Sequence, residues 1–197
     1  MTESRTSLVL IRHGPTAWNA QGRMQGRSDQ PLSEEGRRAV SGWRIRQDIN
    51  FPHWRVSPLS RARQTAALLG HAEAVVDPCL VEMDWGAWEG LVLSQLRQRN
   101  RAQMAAEEAK GLDLMPPGGE SPRQVQSRLA PFLRDIGSAG LPSVAVTHKG
   151  VIRALFAQAS GWPMLGKAPV KLENACAHLF SVGPSGDILA EEMNIAL

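Results

Sequence analysis

Apolar positions along the chain fall into short solid runs separated by longer stretches of helical periodicity. Residues 7–11, Ser7-Leu8-Val9-Leu10-Ile11, form an unbroken apolar run with β-branched members, the pattern of a strand buried on both faces. Shorter runs at 55–57, 74–77 and 143–147 predict further strands, and 177–182 and 188–193 flank the hairpin-like turn Gly183-Pro184-Ser185-Gly186. Helices are predicted over 33–48, 60–69, 91–110, 121–136 and 151–159. The first opens on Ser33 as a cap, with Glu34 and Glu35 where the helix dipole favours acids. The fourth opens on the capping box Ser121-Pro122-Arg123-Gln124. Residues 14–31 are polar and turn-rich, a loop with a short helix, and Pro116-Pro117-Gly118-Gly119 ends the long tract before it. Strands alternating with helices predict an α/β fold: a three-layer sandwich whose mainly parallel central sheet is flanked by helices.

Composition narrows this picture only a little. A chain of 197 residues fits one domain, here 1–197, and 43% hydrophobic with 21% charged residues is the balance of an ordinary globule. No apolar run approaches the roughly 18 residues of a membrane span, and residues 8–11 are too short for a signal-peptide core. Cys79 and Cys176 form no CxxC pair and no metal-ligand spacing, so they are expected reduced and mostly buried in a cytoplasmic protein. The net charge of +3 carries 18 arginines against four lysines. Arginine suits bidentate recognition of phosphate or carboxylate. Because these arginines are scattered and interleaved with acids rather than drawn into a stripe, no nucleic acid is expected as partner.

The chemistry gathers at three strand ends. The first strand runs into Arg12-His13-Gly14, the second through Ser57-Pro58-Leu59 to Arg61, and the strand at 143–147 into His148-Lys149-Gly150. Ligands of open α/β sheets bind outside the carboxyl ends of the strands, where helix N-termini also favour anions. Taken singly, each histidine or arginine is more often structural. Two histidines and two arginines at three such positions describe a phosphate site.

A neutral imidazole there can attack phosphorus and carry the phosphoryl group, with arginines neutralising the equatorial oxygens. A general acid is then needed for the leaving oxygen. The tract Glu82-Met83-Asp84-Trp85-Gly86-Ala87-Trp88-Glu89 offers three carboxylates beside two tryptophans, surroundings that raise a carboxyl pKa.

These strings resemble the signature of the histidine phosphatase (phosphoglycerate mutase-like) superfamily. The matching blocks are Leu10 to Gly14 with Thr16 and Trp18-Asn19; Gln25-Gly26; Asp29 to Ser33 with Gly36; and Ser57-Pro58-Leu59 through Arg61-Ala62 to Gln64-Thr65-Ala66. They continue with Glu82 through Gly86 to Trp88-Glu89-Gly90, Gly118 to Ser121, and Thr147-His148 with Gly150 to Arg153, so they span residues 8 to 153 in family order. The resemblance implies His13 as the phosphorylated nucleophile, Arg12, Arg61 and His148 as the phosphate pocket, and Glu82 as the proton donor. It implies Asn19 as a further oxygen contact; Thr16, Gln25, Gly26 and Lys149 are the other candidates for binding substrate or phosphate. It implies no metal or organic cofactor, and a helical insert or lid at about 89–120.

The short tract around Trp85–Gly90 and the compact length resemble the phosphatase branch, whose members include α-ribazole phosphatase. The function so implied is hydrolysis of a phosphomonoester through a phosphohistidine. The rival readings are mutase-type phosphoryl transfer and a module that only binds a phosphorylated ligand. Two residues depart from the family pattern: Pro15 replaces the usual Glu or Gln, and Lys149 the usual Gly or Asn. The first changes local geometry only; the second adds a cation beside the pocket and bears on the substrate class. A metallohydrolase is disfavoured by the lack of HExxH or a close histidine pair. Gly161 to Lys167 matches most of a P-loop, but Ala168 stands where Ser or Thr would hold magnesium, and a helix precedes it. The expected partner is a small-molecule phosphate ester, with no membrane and a homodimer as the assembly to test.

Overall fold

The computed structural model describes residues 4–197. Among these, the chain runs through six strands and seven α-helices: β1 (Thr6–Arg12), α1 (Ala17–Ala20), α2 (Glu34–Ser41), β2 (His53–Val56), α3 (Ser60–Leu68), β3 (Val75–Val76), α4 (Leu93–Arg99), α5 (Arg101–Glu108), α6 (Pro122–Ala139), β4 (Ser143–Thr147), α7 (Lys149–Ser160), β5 (Cys176–Val182) and β6 (Ile188–Ala196). The strands form one sheet in the order β3-β2-β4-β1-β5-β6. β3, β2, β4 and β1 are mutually parallel, and β5 and β6 complete the sheet antiparallel.

The solid apolar run of β1 reflects its central place, with an apolar layer on each face. Leu8 and Leu10 meet Leu129 and Leu133 of α6 and Val151 and Leu155 of α7 on one face. Val9 and Ile11 meet Val40 of α2 and Ala62 and Ala66 of α3 on the other. All four β1 side chains are fully buried, each removing about 1.5–3 kcal/mol worth of apolar surface from water. No helix among the described residues is long and apolar enough to cross a membrane.

Several boundaries differ from the sequence expectation. The helix predicted to reach Asp48 stops at Ser41, because Gly42 turns the chain and Trp43 and Ile49 leave the helix to enter the core. The tract 91–110 is two helices, divided at Asn100, whose φ of −129° and ψ of 48° are not helical. α6 continues past Ile136 to Ala139 and tolerates Pro131, which sits on the exposed face where water can take the freed carbonyl. The two cysteines are free as expected, but both are half-buried rather than buried. The P-loop-like string 161–167 follows helix α7 and is a surface turn in which the Trp162 indole donates to the Leu165 carbonyl at 3.0 Å.

Candidate active site

Three adjacent parallel strands, β2, β4 and β1, deliver the site from their carboxyl ends. His13 directly follows β1, and its backbone N–H donates to the Thr147 carbonyl at 2.9 Å, extending the ladder. Ser57 follows β2 and ties to Val146 in the same way at 3.0 Å, before the chain turns into α3 and Arg61. His148 follows β4 and is the extended residue that opens α7. The Thr65 hydroxyl joins two of these loops: it accepts the Gly14 N–H at 2.9 Å and donates to the Arg61 carbonyl at 2.7 Å.

The His13 ring is buried, and its Nδ1 lies 2.7 Å from the Gly14 carbonyl. A carbonyl only accepts, so Nδ1 carries the hydrogen and Nε2 keeps its lone pair. Burial lowers the His13 pKa well below the usual histidine value, and Arg12 and Arg61 push it the same way. The ring is therefore neutral at neutral pH. His148 lies beside it, ring centroids 5.1 Å apart, fully buried and also held well below the ordinary value by burial, with His13, Arg61 and Arg12 adding to the effect. Its Nε2 is 2.6 Å from the Ser57 hydroxyl, which accepts the Leu59 N–H at 3.3 Å. Ser57 thus occupies Nε2, and Nδ1 is the His148 ring nitrogen left to face a ligand.

Arg61 is fully buried and anchored by backbone alone, Nη1 to the Ser28 carbonyl at 2.9 Å and Nη2 to the Gly26 carbonyl at 2.7 Å. Arg12 donates from Nη1 to the Asn174 side-chain oxygen. Burial lowers both guanidinium pKa values, with nearby Glu82 acting in the opposite sense, yet an arginine so placed stays charged. Arg12 Nε, Arg61 Nε and His148 Nδ1 are buried without a hydrogen-bond partner among the described residues. Each unsatisfied buried donor costs about 1–3 kcal/mol, and more when charged. Such a cluster suits a dianion with several acceptor oxygens.

Glu82 is the carboxylate that reaches this pocket. It is buried, with Oε1 accepting the Met83 N–H at 2.8 Å and Oε2 the Gly150 N–H at 3.2 Å. Burial raises its pKa despite those bonds and the two arginines. A Cβ on Gly150 would fall on Glu82 Oε1, so glycine there is a requirement of close approach. The backbone leading to Glu82 is fastened from α6: Arg128 donates to the Cys79 carbonyl and, at 2.7 Å, to that of Val81, and is itself paired with Glu120 at 2.8 Å.

The other expected residues have mixed placements. Thr16 caps α1, its hydroxyl accepting the Asn19 N–H, while the Asn19 oxygen accepts the Thr16 N–H at 3.0 Å. That reciprocal bond leaves the Asn19 amide group as the part able to face a ligand. Gln25 is buried with Oε1 unpartnered among the described residues. Gly26 presents its carbonyl to Arg61 in a left-handed conformation, φ +54°, packed on Glu89. Glu89 is not a free acid: its oxygens accept the N–H groups of Arg27 at 2.6 Å and Ser28 at 2.9 Å, clamping the loop that holds Arg61. Lys149 is exposed at the first turn of α7. Sequence reasoning did not find the roles of Ser57, Thr65, Asn174, Arg128 or the Glu89 clamp. Only Ser57, Thr65 and Glu89 lie within strings it had singled out. Among the described residues no group of three or more His, Cys, Asp or Glu side chains is placed to hold a metal ion.

The sequence model of the histidine phosphatase superfamily (branch 1) matches residues 8–194. The phosphoglycerate mutase-like protein 4 of Arabidopsis thaliana is 33% identical over 161 residues, 77% of this chain and 70% of that protein. The metal-independent phosphoserine phosphatase of the same plant is 32% identical over 171 residues, 82% of this chain and 72% of its own. Among solved structures, a mycobacterial glucosyl-3-phosphoglycerate phosphatase complexed with VO3 superposes with a TM-score of 0.77 at 28% identity, covering 97% of this chain and 100% of that one.

Proposed function

The chain belongs to the histidine phosphatase superfamily, branch 1, and from that premise we propose that it hydrolyses a small phosphate monoester through a phosphohistidine at His13, without a metal. The observation that carries this reading is the His13 tautomer: Nδ1–H is held on the Gly14 carbonyl, so Nε2 is a free nucleophile beside two buried arginines. Nε2 attacks phosphorus, the bond to the ester oxygen breaks, and Glu82 gives its proton to the departing alkoxide. A water then attacks the phosphohistidine, Glu82 takes the water proton, and inorganic phosphate leaves with His13 restored. Arg12, Arg61 and His148 stabilise charge on the equatorial oxygens, and positioning plus electrostatics supply most of the acceleration. The Asn19 amide, Gln25 and the Gly26 loop complete the oxygen-binding shell, and residues 89–120 form the insert over its mouth.

The relatives carry different esters in their names, phosphoserine in one and glucosyl-3-phosphoglycerate in another, so they support the phosphoryl end of the site in common. α-Ribazole phosphate is one candidate ester. Mutase-type transfer differs in the acceptor, a substrate hydroxyl in place of water, and release of inorganic phosphate separates the two.

The experiment is to incubate the chain with a 32P-labelled monoester and a chelator. Turnover should persist, and the protein should acquire an acid-labile, base-stable label that His13→Ala removes together with turnover. An acid-stable label, or activity lost to the chelator, overturns the reading.

A further inference from the structure

Arg12, Arg61 and His148 serve the phosphoryl group; the rim of the pocket carries cations beyond that need. Lys149 is the first residue of α7 and adjoins His148, at the helix end where the macrodipole is already positive and disfavours a lysine. Its ammonium makes no ion pair or hydrogen bond among the described residues. The charges facing it are Arg12, Arg153 and Lys171, with Glu173 the one carboxylate; partial burial first, then the three cations, lower its pKa, and Glu173 acts in the opposite sense. Arg153 follows one turn later on the same face of α7, with its guanidinium 5.1 Å from the Trp162 ring centroid and no carboxylate partner among the described residues. Like charges one helical turn apart repel; Arg153 gains its contact with the Trp162 ring, whereas Lys149 has no contact that offsets the repulsion among the described residues.

Two of those charges, Lys171 and Glu173, belong to a segment that is fastened in place. Asn194 adopts a left-handed conformation, φ 62°, and fastens segment 171–175 to β6. Its side-chain oxygen accepts the Glu173 N–H at 2.8 Å, its amide donates to the Lys171 carbonyl at 2.9 Å, and its backbone N–H reaches His178 Nδ1 at 3.2 Å. Held in this way, the segment presents Asn174 to Arg12, and Lys171 in a 2.9 Å pair with Glu173. The backbone is pinned while the charged tips stay exposed.

We propose that Lys149 and segment 171–175 form a second-anion subsite, which takes a carboxylate or second phosphate on the alcohol part of the ester and so selects doubly anionic substrates. This rests on the phosphomonoester reading of the adjoining pocket. Lys149 supplies the attraction, Lys171 assists it, and Glu173 limits it.

The test uses two esters that differ only in carboxylate against hydroxymethyl, 3-phosphoglycerate and glycerol 3-phosphate. Their binding to the full chain carrying His13→Ala is measured by calorimetry, so that turnover does not intervene. The carboxylate ester should bind about fivefold more tightly, the size expected for one screened charge near a surface. Lys149→Ala should bring that ratio near one while changing glycerol 3-phosphate affinity less than twofold. Glu173→Gln should raise the ratio, a gain that misfolding does not produce, and added salt should compress it. Equal weakening of both esters by Lys149→Ala, an unchanged ratio, or binding of neither ester overturns the subsite. Turnover is followed in parallel with His13 intact. Phosphate release with no discrimination leaves the hydrolase standing and removes the subsite; discrimination in binding with no phosphate release from any monoester does the reverse.

Discussion

At the amino ends of β2 and β4 the sheet carries the same residue types as at the carboxyl ends and handles them in the opposite way. There His53, Arg55, His71 and Glu73 line a hollow of about 420 Å³ with Trp54, Ile136 and Leu141. Arg55 is paired with Asp135 and lies 3.7 Å from Asp77, and His71 stacks on Trp54 with centroids 3.7 Å apart. At the carboxyl ends Arg61 is fully buried and bonded to carbonyls, and Arg12 Nε, Arg61 Nε and His148 Nδ1 have no partner among the described residues. What distinguishes the site is uncompensated, preorganised positive charge, which a folded chain tolerates only where an anion repays it.

The contrast is broken most severely through its one carboxyl group. Glu82→Gln should lower kcat by about 10²–10⁴ on alkyl phosphates and far less on an aryl phosphate, whose leaving group hardly needs a proton. Equal losses on both esters would remove Glu82 from the role of acid. Next, Arg61→Met should lower kcat/KM by about 10²–10³, the cost of one aimed donor. Arg55→Gln at the other end should leave kcat/KM within twofold, because exposed ion pairs contribute at most about 1 kcal/mol and touch no ligand. Comparable losses from the two arginines would erase the distinction between the ends.

A buried histidine at neither end sharpens the comparison in stability instead of rate. His178 lies in β5 and burial takes its pKa down to about 4. The folded chain keeps it neutral while the unfolded chain protonates it below about 6.5, so this contribution is complete above 6.5 and declines as pH falls towards 4. Urea melts across that window should lose about 1.4 kcal/mol per pH unit from this residue alone. His178→Gln should flatten the slope by that amount, and His13 and His148, depressed likewise, contribute with the same sign.

Arg12-His13-Gly14, Arg61 and His148 were legible because each sits a fixed few residues beyond an apolar strand, and strand ends are local signals. The β1 run told of two covered faces for the same reason. The Glu89 clamp, the Asn174 contact with Arg12 and the Arg128 buttress were not legible. They link positions 62, 162 and 49 residues apart, and no short pattern encodes which surface arginine or asparagine will be turned inward. Thr16 shows the opposite failure. Its string pointed to a ligand, whereas Thr16-Ala17-Trp18-Asn19 is also a helix start, and the cap takes the hydroxyl. Helix ends at Gly42 and Asn100 were missed because the periodicity continues through both while the backbone does not.

The strand order has a consequence in time. β1 is made first, yet its two neighbours in the sheet are β4 and β5, residues 143–147 and 176–182. Until the ribosome has delivered both, the apolar stretch Leu8–Ile11 that leads into Arg12 and His13 waits without partners, the kind of segment that associates wrongly while exposed. Asn174 and the Asn194 that pins its segment emerge later still. His13 is thus synthesised well before the segment that completes its surroundings.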